Sequence, residues 1–246
     1  MRFGIFGAAQ AGSPCPGTPM GQGFHDFIDF NVEAEALGYH STFLVEHHFT
    51  GWNQVSATLT LLTWLAARTT TLRLGTAVMV LPWHNPVLLA EQAATLDLLS
   101  EGRLDFGVGK GYRYNEFTGF AIPLDEADAR FEEALAVIIK AWTSGQRFSH
   151  HGRFWTFNDI LVEPPTSQKP HPPFWMAAGT PRPFAAWPSA RRVGVPTIQW
   201  GLPLRATCMS PTTRPPRTPP SNAIASSKNA FWRWRVGRTA PSARIS

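Results

Sequence analysis

Leu72-Arg73-Leu74-Gly75-Thr76-Ala77-Val78-Met79-Val80, then Asn85-Pro86, then Leu104-Asp105-Phe106-Gly107-Val108, is the stretch whose reading decides the fold. The first run is largely apolar and reads as a strand buried on both faces. Asn85 offers a side-chain oxygen to the free N–H groups of a helix start, and Pro86 brings a preset φ to its first turn. Leu89, Ala93 and Leu96 line one helical face, and Gly102 suits the left-handed position that closes the element. The last run is a second buried strand. Strand, helix, strand in this order predicts a parallel pair joined by a crossover helix.

The alternation continues outward in both directions. Toward the amino end, residues 2–6 form a short apolar strand, and Ile28, Val32 and Ala36 recur every fourth residue on a helix that stops at Gly38. Thr42-Phe43-Leu44-Val45 is the next strand, and Val55, Leu59, Leu62 and Ala66 mark one face of the next helix. Toward the carboxyl end, Asp125 is expected to cap a long helix with the stripe Phe131, Leu135, Ile138 and Trp142, ending at Gly145. Residues 148–157 read as a surface hairpin, and Phe174-Trp175-Met176-Ala177-Ala178 as a fifth buried strand. Buried strands regularly separated by helices require a parallel sheet covered on both faces, either doubly wound or a (β/α)₈ barrel.

The 246 residues suffice for one domain of that size. Cys15 and Cys208 allow one bridge at most, which excludes a disulfide scaffold and a Cys₄ zinc site and suits a reducing compartment. The longest apolar stretch, residues 55–67, is interrupted by Ser56, Thr58, Thr60 and Thr63 and falls short of a membrane span. The opening residues are too short in apolar run for a signal-peptide core, so a cytoplasmic location is expected. Residues 1–163 hold 10 Lys/Arg against 17 Asp/Glu, whereas residues 164–246 hold 12 Lys/Arg and no acid.

In parallel α/β folds chemistry sits where strands end at the carboxyl edge. Three such ends carry polar groups: Glu46-His47-His48-Phe49, Gly109-Lys110-Gly111-Tyr112 and Gly179-Thr180. Adjacent histidines on an extended backbone point to opposite sides, so at most one faces a central pocket. Their spacing is not that of a helical metal-binding pair, and His84, His150 and His151 add no ligand spacing, so no metal site is expected. Gly107-Val108-Gly109-Lys110-Gly111 matches neither a P-loop nor a complete dinucleotide fingerprint. What remains is a cation among glycines, where backbone N–H groups can approach a phosphate, or a solvated lysine in a tight turn. Gly179-Thr180 offers a second anion cradle of this kind.

These residues resemble the bacterial luciferase-like, flavin-dependent monooxygenases of the FMN type. The resemblance is carried by Glu35-Ala36-Leu37-Gly38-Tyr39, Leu44-Val45-Glu46-His47-His48-Phe49-Thr50, Leu74 to Pro82, Glu91-Gln92, Leu96 to Arg103, Phe106 to Gly111 and the stretch from Val162 to Trp175, in the family's order. It implies a TIM-like (β/α) barrel, here with about five of eight βα units over residues 1–180. It implies reduced FMN and O₂ acting on a small organic substrate, a flavin reductase as electron source, and a possible homodimer. The deazaflavin F420 is the alternative cofactor. By position, His47 resembles the family's active-site histidine, serving as base or hydrogen-bond partner. Ala77-Val78 matches the peptide beside the flavin ring, which in relatives can be cis. Lys110 stands where a relative has a phosphate-binding arginine, keeping the charge and losing the bidentate fork; Tyr112 follows in the same loop, and Gly179-Thr180 matches the second phosphate contact.

The resemblance is expected to stop at Pro181. Residues 181–246 hold 11 prolines and 11 Lys/Arg with no acid, a composition that predicts a disordered tail. Shifting the codons of residues 181–190 back by one base allows the helix S-I-R-R-V-A-E-R that the family places there, so the tail is expected to be an out-of-frame translation or a gene lesion. A barrel missing its last strands leaves the edges of the first and fifth strands unpaired. The competing reading of the tail is a nucleic-acid-binding arm, its tryptophans interleaved with arginines; a metal-dependent barrel hydrolase using the histidines is a third.

Overall fold

A computed structural model of the chain describes residues 2–12 and 17–177, together with the backbone of residues 197–198 and 230–233. The strands are β1 (Phe3–Gly7), β2 (Ser41–Leu44), β3 (Arg73–Thr76), β4 (Met79–Val80), β5 (Leu104–Gly109), β6 (Phe148–His151), β7 (Thr156–Ile160), β8 (Phe174–Ala177), β9 (Thr197–Ile198) and β10 (Ala230–Arg233). The helices are α1 (Gln22–Ala36), α2 (Thr58–Arg68), α3 (Pro86–Leu99), α4 (Tyr114–Gly119) and α5 (Ala127–Thr143).

The main sheet runs β10-β1-β2-β3-β5-β8-β9, with β4 pairing β5 beside that path. β1, β2, β3, β5 and β8 are mutually parallel. Their carboxyl ends therefore share one edge, and the loops that follow β2, β3 and β5 rise from the same rim. β6 and β7 form a separate antiparallel hairpin.

The sequence dictates several of these elements for a recognisable reason. Asn85 sits at the start of α3 and its side chain accepts from Val87 N and Leu88 N at 3.0 and 3.2 Å. Such a cap contributes about 1 kcal/mol. Gly38 and Gly102 close α1 and α3 with φ of +85° and +79°. β2, β3 and β5 are buried on both faces as parallel strands between helices must be. One continuous core joins α2, α3 and α5 to the sheet through Leu62, Leu65, Leu89, Leu96, Phe106, Phe131 and Ile138. A second, smaller apolar cluster lies apart from it, made of Phe43 and Ala77 with Phe6 and Trp175 packed against them.

Three expectations need correction. Residues 72–80 are not one strand: β3 ends at Thr76, the Ala77-Val78 peptide is cis, and β4 restarts against β5, pairing Met79 with Val108 and Val80 with Gly109. Asp125 does not cap α5. It lies in a 3₁₀ turn, Leu124–Glu126, that runs straight into the helix, and Glu126 at the junction makes no side-chain cap hydrogen bond. The edge strands are not left unpaired either, since β10 lies antiparallel to β1 and β9 parallel to β8. The disorder and out-of-frame readings of the tail otherwise lie outside the described residues, as do Cys15 and Cys208. Among the described residues no helix is long and apolar enough to cross a membrane.

Candidate functional site

The site is built on the rim after β2, β3 and β5. β2 ends at Leu44, and the chain continues outside the sheet through Glu46, His47 and His48. Ala77 N donates to Leu44 O at 2.8 Å, which ties the cis peptide beside this segment. Lys110 directly follows Gly109, the partner of Val80. His47, Ala77-Val78 and Lys110 thus stand at the carboxyl ends of adjacent strands, on one rim.

The two histidine rings go to different carboxylates. His47 Nδ1 donates to Glu116 Oε1 at 3.0 Å, and the same oxygen accepts from His48 N at 2.9 Å. Glu116 lies on the short helix α4 and is 1% exposed. With Nδ1–H committed to Glu116, the lone pair of His47 sits on Nε2, which has no partner among the described residues. Burial and the nearby Arg113 guanidinium hold the His47 imidazole below its ordinary value of 6.5, against the opposing pull of Glu116. The neutral ring is therefore the form present at neutral pH.

His48 turns the other way, into a cage of rings, with Phe120, Trp83 and Phe49 centred 4.7, 5.4 and 5.9 Å away. Its Nε2 donates to Glu46 Oε1 at 3.1 Å; His84 Nε2 donates to the same oxygen at 2.7 Å, and Glu46 Oε2 accepts Val80 N at 2.7 Å. Glu46 is 2% exposed. Burial pushes its carboxyl up, and these hydrogen bonds outweigh burial and leave it below its ordinary value of 4.5.

Lys110 reaches outward. Its Nζ pairs with Asp128 Oδ1 at 2.8 Å, in the first turn of α5, and both side chains are substantially exposed. Such a pair is worth roughly 0.2–1 kcal/mol, so the ammonium is easily redirected. Tyr112 is 74% exposed beside it. Gly111 has φ +75° and abuts Val80, Trp83 and Phe117, so the loop lies flat against the rim where a side chain would lift it. Gly179 and Thr180 lie outside the described residues. Among the described residues no group of three His, Cys, Asp or Glu side chains could hold a metal ion.

Glu116 escaped the sequence reading because its role depends on a six-residue helix that no periodicity announces. Glu46 was in view as part of a polar strand end and of the family motif, and His84 only as a metal ligand that its spacing refused; their actual partnership spans 38 residues and is visible only in three dimensions.

The chain belongs to the luciferase-like monooxygenase family, whose sequence profile matches residues 1–207, past the expected stop at Pro181. It is similar to the oxygenase component of a flavin-dependent trigonelline monooxygenase of Acinetobacter baylyi, with 32% identity over 64% of this chain and 44% of that protein. An FMNH₂-dependent dimethylsulfone monooxygenase of Pseudomonas putida is 33% identical over 59% of this chain and 42% of its own length. An F420-dependent glucose-6-phosphate dehydrogenase of Kineococcus radiotolerans is 34% identical over 62% and 46%. Among solved structures, the monooxygenase RslO1 of Streptomyces bottropensis superposes with a TM-score of 0.72 at 33% identity, covering 80% of this chain and 59% of that one. The chain spans about half the length of the curated relatives it matches.

Proposed function

We propose that this chain binds reduced FMN on the rim after β2, β3 and β5 and serves as the oxygenating part of a two-component monooxygenase. The observation that carries the reading is the single edge on which His47, the Ala77-Val78 peptide and Lys110 stand. The residues suit a flavin. Phe43, Ala77, Phe6 and Trp175 form an apolar cluster apart from the main core, which fits a planar ring. Lys110 supplies a redirectable positive charge for a phosphate, with Tyr112 beside it and the flat Gly111 turn leaving its backbone accessible.

When bound, reduced FMN supplies the electrons by which O₂ delivers an oxygen atom to a small organic substrate. His47 Nε2 takes or returns a proton at the substrate's reacting group, and Glu116 orients the ring and offsets the charge while the proton is held. Burial around His47 keeps the ring neutral and ready to accept. The Phe43–Ala77 surface excludes water from the ring's face. Gly179 and Thr180 complete the phosphate contact in this proposal. Because a matching relative is named as an oxygenase component, a separate flavin reductase is the proposed partner; pairing into a homodimer is part of the same reading. The 34% identical F420-dependent relative supports the same rim as a seat for a deazaflavin.

The test is a titration of the full chain with FMN, riboflavin and F420, followed by flavin fluorescence. FMN binding tighter than riboflavin, with the preference lost in Lys110→Ala, is the expected result. Equal affinity for FMN and riboflavin removes Lys110 from the phosphate site, and binding of F420 alone transfers the rim to the deazaflavin.

A further inference from the structure

The Glu46 carboxylate is nearly sealed from water and joins three segments that the proposed chemistry needs in register. Its Oε2 holds Val80 N, at the end of the segment that begins with Ala77. Its Oε1 is held in turn by His84, from the turn after β4, and by His48, the neighbour of His47. Each oxygen has its own task, since the two ring N–H groups orient the carboxylate so that the other oxygen meets the amide. A buried carboxylate with several donors is a rigid joint, because moving any partner strands a charge in a water-free place.

We propose that Glu46 is a positioning residue that fixes the 77–80 segment against His47, and so sets where a ring seated on Ala77-Val78 stands relative to His47 Nε2. The inference rests on the flavin reading for its consequence, though the joint itself exists without a ligand. Glu46→Gln retains an oxygen for Val80 but turns an amide NH₂ toward two ring nitrogens that donate in the parent, so each ring must change tautomer or move away, and the charge that anchors them is gone. His84→Phe removes one orienting donor, and His84→Gln restores one.

The experiment measures FMN affinity and the visible absorption band of bound FMN in the full chain. The imidazole nitrogen signals of His47 are recorded without ligand. For Glu46→Gln an about 10-fold loss of affinity is expected, with a displaced visible band and altered His47 signals. His84→Phe is expected to lose about 3-fold, and His84→Gln to stay near the parent. Unchanged affinity, band and His47 signals in Glu46→Gln overturn the inference. If that variant does not fold, identical behaviour of His84→Phe and the parent overturns it. If the parent itself binds no FMN, the flavin reading fails, and the His47 signals alone decide whether Glu46 positions that ring.

Discussion

At the rim, two carboxylates divide the labour of the Glu46-His47-His48 segment. Glu116 takes His47 and leaves Nε2 without a partner among the described residues, the atom assigned the proton transfer in the proposed function, while Glu46 takes His48 and His84 and braces the backbone. The division makes a signed prediction. Glu116 raises the His47 pKa, while burial and Arg113 lower it, so Glu116→Gln moves the acid limb of the pH–rate profile to lower pH. His47→Ala is expected to cut turnover by about 10²–10⁴ while FMN affinity changes little. Product formation with a supplied flavin reductase, measured from pH 5 to 9, checks both; an unmoved acid limb in Glu116→Gln removes His47 as the titrating base. The place of His47 at the carboxyl end of a strand was legible because an apolar run stops just before it. Glu116 was not, because nothing local distinguishes a carboxylate that accepts a ring N–H from one that faces water.

Among the elements, glycines in the sheet set how closely the strands and interior rings approach. A Cβ at Gly107 would run into Thr76 O, the backbone of the neighbouring strand, and one at Gly75 would enter the Phe43 ring. Backbone cannot give way as the end of a side chain can. Gly107→Ala is therefore expected to destabilise by several kcal/mol, well above the ~1 kcal/mol of Asn85→Ala at the α3 cap. Urea unfolding of both variants checks the order; equal midpoints would contradict the packing described. The sequence announced β2, α3 and β5 through apolar runs, an Asn-Pro start and a closing glycine, which are local signals. It misread residues 72–80 as one strand, because the cis peptide and the loss of β2 as a partner, with β5 kept, are tertiary facts. Asp125 was taken as a cap on residue type alone, and the 3₁₀ turn feeding into α5 removes the need for one.

Across the whole molecule, the barrel-type sheet carries the proposed site at its carboxyl edge and a set of arginine contacts toward the other. Arg73, at the start of β3, binds Asp105 through two hydrogen bonds of 2.9 and 2.7 Å, and Arg103 holds the carbonyls of Ala66, Thr69 and Leu72. Stability depends on pH through the shifted groups. His47 and His40 titrate below 6.5 in the folded chain, both chiefly through burial, so the unfolded chain takes up protons the folded one refuses as pH falls through that value. Glu35, Glu46 and Glu133 sit below 4.5, each because hydrogen bonds outweigh burial, and their contribution is full above 4.5 and lost beneath it. Stability is expected to decline gently below about pH 6.5 and more steeply below about 4.5. Urea midpoints from pH 4 to 8 check this, and a midpoint that rises on acidification contradicts it.

The central claim is that one rim holds one flavin. A crystal structure of the chain grown with FMN measures it most directly. The account predicts the ring against Ala77-Val78, the phosphate within reach of Lys110 after its release from Asp128, and His47 Nε2 facing the ring's reactive edge. FMN bound away from the carboxyl edge, or with its phosphate turned from Lys110, contradicts it.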